Sequence, residues 1–101
     1  MAAVTSRLER NTQVTTPEEW DKRRPRLEDV VKPLLEKQPG FDGLELEWSE
    51  GRMVETTRWR SEQACRDYIR NGGAATVATF ADQVVPTAAY PNGTWVRTNS
   101  F

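Results

Sequence analysis

Hydrophobic and polar positions are interleaved along "RMVETTRW", residues 52–59. Read as a strand, this puts Met53, Glu55, Thr57 and Trp59 on one side and Val54, Thr56 and Arg58 on the other. The preceding "FDGLELEWS" also alternates, and Glu50-Gly51 between the two segments is a turn signal, with Gly supplying positive φ. A hairpin closed by that pair sets Ser49 against Arg52, Trp48 against Met53, Leu46 against Glu55 and Leu44 against Thr57. One face then carries Leu44, Leu46, Trp48, Met53, Glu55, Thr57 and Trp59, so a carboxylate falls among apolar side chains. The other face carries Glu45, Glu47, Val54, Thr56 and Arg58.

The rest of the chain supplies helices and two more strands. "AAVTSRLER" alternates and predicts a strand near residues 2–10. In "TTPEEW", Thr16 can cap, Pro17 suits the first helical position, and Glu19 completes a capping box. The helix that follows presents Trp20, Leu27, Val31, Leu34 and Leu35 as its inner stripe. Pro25 and Pro33 predict a bend or restart before it ends near Gln38. "SEQACRDYIRNGG" reads as a short helix capped by Ser61, with Ala64, Cys65, Tyr68 and Ile69 inward. "AATVATFADQVV" is a second one, with Val77, Phe80, Ala81 and Val84 inward and Pro86 closing it. "TWVRTNSF" predicts a final strand. The order strand, helix, strand, strand, helix pair, strand implies an α+β, ferredoxin-like sandwich: helices on one face of a four-stranded antiparallel sheet. The other sheet face meets either water or the same face of a second subunit.

Composition narrows the chemistry. At 101 residues, one domain spanning 1–101 is expected. The hydrophobic fraction of 37% is low enough that a second copy of the chain could complete the core. Net charge is −1, with 14 basic and 15 acidic residues intermixed, which argues against a nucleic-acid or membrane-surface partner. The single Cys precludes an internal disulfide and fits a reducing compartment. With no apolar span or leader-like segment, a cytoplasmic location is expected. The chain has no His, which rules out His-based triads, His general bases and His metal or haem ligands.

Two short motifs carry a family resemblance. "PGF" at 39–41 follows the first long helix, and "W-x-S-E-Q-A" at 59–64 ends a strand and caps a helix. With the element order, they resemble the antibiotic biosynthesis monooxygenase family of dimeric α+β barrel proteins. The resemblance implies a homodimer with a pocket between each subunit's sheet and helices. It also implies oxidation of polycyclic aromatic or polyketide-like substrates by molecular oxygen, without metal or organic cofactor. Trp59 matches the family's strand-ending Trp. The Asn that oxygenase members carry four residues earlier is Glu55 here. A Tyr early in the next helix of some members is Cys65 here, with Tyr68 one turn later on the same side. Haem-degrading members need a His that this chain lacks.

Cofactor-free oxygenation needs an electron-rich substrate anion, so the protein must remove a proton and stabilise charge. An Asn cannot accept that proton; a Glu can, and burial would raise its pKa toward neutrality. Glu55 and Trp59 are therefore the candidate catalytic residues, with Tyr68, Trp48, Leu46, Phe80 and Arg97 as substrate contacts. The same carboxylate would equally serve a non-oxidative cyclisation or isomerisation, and a ligand-binding barrel without turnover is a third reading. Against all enzymatic readings stands a structural one: Arg97, alternating with Trp95 and Asn99, could clamp Glu55 and lower its pKa. The clamp and the base make opposite predictions.

Overall fold

Period-two alternation becomes a four-stranded antiparallel sheet in the computed structural model, which describes residues 3–101. The strands are β1 (Val4–Asn11), β2 (Phe41–Ser49), β3 (Arg52–Trp59) and β4 (Val96–Asn99). The helices are α1 (Pro17–Glu36), α2 (Glu62–Arg70) and α3 (Gly73–Val84). The strand order β2-β3-β1-β4 makes this an α+β ferredoxin-like sandwich. Ala2, at the start of the expected first strand, lies outside the described residues.

The β2–β3 register is the one the turn dictates, with Leu46 opposite Glu55 and Trp48 opposite Met53. Both turn residues take positive φ, Glu50 at 49° and Gly51 at 86°. That pair of left-handed residues matches the right-handed twist of a two-residue hairpin. Burial in β3 alternates without a break, and Met53, Glu55, Thr57 and Trp59 are all buried. On the opposite face, Arg7, Glu9, Arg52, Glu45 and Arg58 form ion pairs with exposed or half-buried partners.

Thr16 caps α1, its hydroxyl accepting from the Glu19 backbone N–H at 3.2 Å. The helix runs as one element through Pro25 and Pro33, with no restart at either. Both prolines sit on its exposed side, so their rings project away from the packed layer. Trp20, Leu27, Val31 and Leu35 are buried, while Leu34 is half-buried against the core. Ser61 caps α2 by accepting from Ala64 N–H at 3.1 Å. Gly72, at φ 88°, lets the chain turn directly into α3.

The two family-like motifs pack on each other. Gly40 of "PGF" has φ 83°, and a Cβ there would lie 2.5 Å from Ala64 Cβ of "SEQA". The Gly40 carbonyl also accepts from Arg60 N–H at 2.8 Å. Gly is required at position 40 for both its dihedral and its lack of a side chain.

Phe80 departs from expectation. It is 41% exposed, whereas Ala74, Val77, Ala81 and Val84 form the buried side of α3. At ~100° per residue, Phe80 sits about 80° from the centre of that stripe, on its margin.

Candidate functional site

The site is built from ranks of side chains running across the helix-covered face of the sheet. Directly paired residues share a face, so Leu46, Glu55, Leu8 and Arg97 form one rank across β2, β3, β1 and β4. The next rank toward the Trp59 end is Leu44, Thr57, Ser6 and Asn99. On the other side lie Trp48, Met53 and Arg10. Three of these four strands thus place a charged or polar group beneath the helices.

Glu55 is 4% exposed. Among the described residues its carboxylate makes no hydrogen bond and no ion pair within 4.0 Å. Desolvation is the main cause that pushes its pKa above the ordinary carboxylate value, and the Arg97 and Arg10 charges only partly oppose this. The clamp reading fails on geometry: Arg97 Nη1 donates to Ser6 Oγ at 2.7 Å. Ser6 Oγ–H in turn donates to Asn99 Oδ1 at 2.7 Å. This network absorbs Arg97 and leaves Glu55 with its field but not its contact.

Tyr68 links the carboxylate to the aromatic end of the layer. Its ring lies 4.5 Å from the Trp59 ring, centroid to centroid, and it is buried. Burial first, and the Glu55 charge second, push the phenol's pKa well up, so Tyr68 remains a neutral O–H donor. Trp59 itself stands two ranks from Glu55, with Thr57 between them, and is not its direct neighbour. Its Nε1 donates to Thr57 Oγ1 at 2.9 Å, and Phe41 meets it edge-on at 5.7 Å. Cys65 is fully buried with its thiol pushed up by burial, as a small core residue should be.

The remaining expected contacts divide. Leu46 is buried directly across from Glu55 and also lines a cavity of about 290 Å³ with Leu44 and the α1 residues Arg24, Glu28 and Lys32. Tyr68 borders a smaller cavity of about 140 Å³ with Gln38, Ala64 and Asn71. Neither cavity is lined by Glu55, which is buried in the layer beneath the helices. Trp48 is half-buried at the far end, stacked on Trp20 at 6.3 Å with its Nε1 donating to Val14 O at 3.1 Å. Phe80 is turned outward and does not join the group.

Sequence reasoning missed Ser6 and Arg10. Both share the parity of Leu8 in β1, so the alternation of "AVTSRLER" places them on the buried face once Leu8 is taken as inward. Arg10 is 1% exposed. Its Nη1 donates to Val85 O at 2.7 Å and to Thr87 Oγ1 at 3.1 Å, with Asp82 at 3.9 Å. Among the described residues no group of His, Cys, Asp and Glu could hold a metal ion. Among those residues, too, no helix is long and apolar enough to cross a membrane.

Comparison with known proteins gives the fold a precedent. No protein-family model matches the chain, and no curated protein sequence matches it. Solved structures do. SnoaB, a cofactor-independent oxygenase from Streptomyces nogalater, is 19% identical over 99% of this chain and 93% of its own, with a TM-score of 0.57. The ActVA-Orf6 monooxygenase of Streptomyces coelicolor, solved with nanaomycin D, is 18% identical over 98% of this chain and 88% of its own, at 0.61. A candidate antibiotic biosynthesis monooxygenase from Deinococcus radiodurans is 13% identical over 97% and 90%, at 0.60. At these identities the likeness is one of fold, and the chain has the fold of the antibiotic biosynthesis monooxygenase structures.

Proposed function

We propose that this chain is a cofactor-independent monooxygenase-like enzyme acting on a polycyclic aromatic or polyketide-like intermediate, with Glu55 as its general base. The observation that carries the reading is the Glu55 carboxylate: buried, unclamped, raised in pKa, and in one layer with Tyr68 and Arg97. A carboxyl raised toward neutrality is matched to accepting and returning a proton at working pH. The fold shared with SnoaB and ActVA-Orf6 supports the choice of oxygen chemistry.

In the proposed reaction an anthrone-type CH₂ loses a proton to the Glu55 carboxylate. The resulting carbanion, delocalised as a phenolate, transfers an electron to O₂, and the two radicals combine as a carbon-bound peroxide. The peroxide takes a proton from Glu55, and the hydroperoxide loses water to leave a carbonyl. One CH₂ and one O₂ thus become one C=O and one H₂O. Tyr68 donates its O–H to the developing oxyanion, and the Trp59–Tyr68 pair stacks on the ring system. Glu55 is covered by the helices, so substrate enters as that layer opens. The enzyme works as a cytoplasmic homodimer, with the ion-paired sheet face as the subunit contact.

The departure at Glu55, where oxygenase relatives carry Asn, favours a second reading: a non-oxidative cyclase or isomerase using the same base. Oxygen separates them. Incubated with an anthrone in air, the protein should consume one O₂ per quinone formed and stop under argon. Conversion of a polyketide-type substrate to a product of the same oxidation level, at equal rate with and without air, eliminates the oxygenase and leaves the cyclase. Binding of the substrate with no turnover in either atmosphere leaves a ligand-binding barrel.

A further inference from the structure

Arg10 presents a buried hydrogen-bonding edge that the protein leaves unused. The Nη1 side of its guanidinium is held by Val85 O, Thr87 Oγ1 and the nearby Asp82. Nε and Nη2 are buried, and neither has a partner among the described residues. Those two nitrogens form the side-on edge of the guanidinium, with parallel N–H bonds that match the two oxygens of a carboxylate. Leaving a buried donor unpaired is costly, and leaving two on one charged group more so.

We infer that the side-on edge of Arg10 is a recognition site for a carboxylate carried by an aromatic ligand. The surroundings fit that ligand class. The Trp95 ring lies over the guanidinium, 4.9 Å from Cζ to the ring centroid, and its Nε1 is held by Thr87 Oγ1 at 3.0 Å. Trp95 also lines a cavity of about 540 Å³ with Asp82 and Thr87, so three residues that touch Arg10 form part of that cavity's wall. A flat ligand in the cavity stacks on Trp95, and its carboxylate reaches the guanidinium edge when the indole shifts. Arg10 lies on the same sheet face as Glu55, one rank away and one strand over. The Val85 carbonyl and the Thr87 hydroxyl fix the guanidinium through Nη1. The inference rests on the proposed reading of this layer as a ligand site, but it does not depend on oxygen chemistry.

The test is binding, read by quenching of tryptophan fluorescence and by calorimetry, with anthraquinone-2-carboxylate against the neutral anthraquinone-2-carboxamide. Wild-type protein should bind the carboxylate at least about tenfold more tightly, the difference expected of a charge-assisted bidentate contact. Arg10→Gln should erase the preference. Arg10→Lys keeps the charge but not the fork, and should keep only a minor part of it. If Arg10→Gln does not fold, as judged by circular dichroism, Arg10→Lys decides alone. Equal affinity for the two ligands in the wild type, or a full preference in Arg10→Lys, overturns the inference. Glu55→Gln should keep the preference for the carboxylate over the carboxamide. Undiminished turnover with retained selectivity there, or no turnover at all in selective wild-type protein, marks a failed reaction assignment with the binding site intact.

Discussion

Arg97 and Glu55 stand on the same rank of the sheet with Leu8 between them, yet the guanidinium bonds Ser6 Oγ at 2.7 Å and not the carboxylate. This one choice separates a structural ion pair from a basic carboxyl. A Glu held in a guanidinium clamp would be locked in its charged form. Here burial dominates and the charged form is disfavoured.

Replacing Glu55 by Gln should therefore act oppositely on stability and on activity. A carboxyl whose folded pKa is raised contributes stability below its ordinary value of 4.5, and that contribution is lost as pH rises through the folded value. Wild-type stability should fall across that window, and Glu55→Gln should flatten the fall. At pH 8 the variant should be more stable by about 1–3 kcal/mol, the cost of an uncompensated buried polar group. Its turnover should drop by roughly 10²-fold or more. Urea denaturation at several pH values and a steady-state assay read the two effects.

Removing the charge at position 97 should move the base further from its ordinary value. Arg97 is the larger of two positive charges that pull the Glu55 pKa down. Arg97→Met should shift the acidic limb of the pH–rate profile to higher pH, and Arg97→Lys should restore it. A limb that stays in place would show that Glu55 is not the group being titrated.

Trp59 should matter for packing and for its hydrogen bond separately. Trp59→Phe keeps the contact with Tyr68 but loses the 2.9 Å bond to Thr57 Oγ1, and should cost about 1 kcal/mol. Trp59→Ala leaves a large cavity and should cost about 3–5 kcal/mol. Thermal melts of the two variants give the difference.

Gly40→Ala should be among the most damaging small substitutions. The new methyl would meet Ala64 Cβ at 2.5 Å, from a backbone already at φ 83°. A loss of about 1–3 kcal/mol is expected from overpacking alone. If the clash is the cause, Ala64→Gly should recover part of it in the double mutant, measured as a coupling energy.

Phe80 gives the control. Because it is turned outward, Phe80→Ser should change stability by no more than about 0.5 kcal/mol and leave ligand affinity unchanged.

The strands, the hairpin register, both side-chain helix caps and the buried face of β3 were legible in the sequence. Each follows from short-range geometry: a period of two, a two-residue turn, or a Thr or Ser three residues ahead of the N–H it caps. The ferredoxin-like order followed from those elements, and so did the placement of Glu55 beneath the helices. Phe80 was misread because it lies on the margin of its helical stripe, where neighbouring elements decide exposure. Arg10 was missed because a charged residue is buried there only by virtue of a carbonyl at Val85 and a hydroxyl at Thr87, some 75 residues on.

The sequence by itself determined which face of the sheet carries the carboxylate, since alternation and one turn leave no freedom in the matter. It left open whether that carboxylate was paired, because both answers use the same residues at the same parity. Only the tertiary structure decided it, by bringing Ser6 across 91 residues to take Arg97, and by seating Tyr68 against Trp59. Side-chain parity is fixed by covalent geometry within a strand. Partner choice is fixed by which distant groups folding brings within a hydrogen bond's reach.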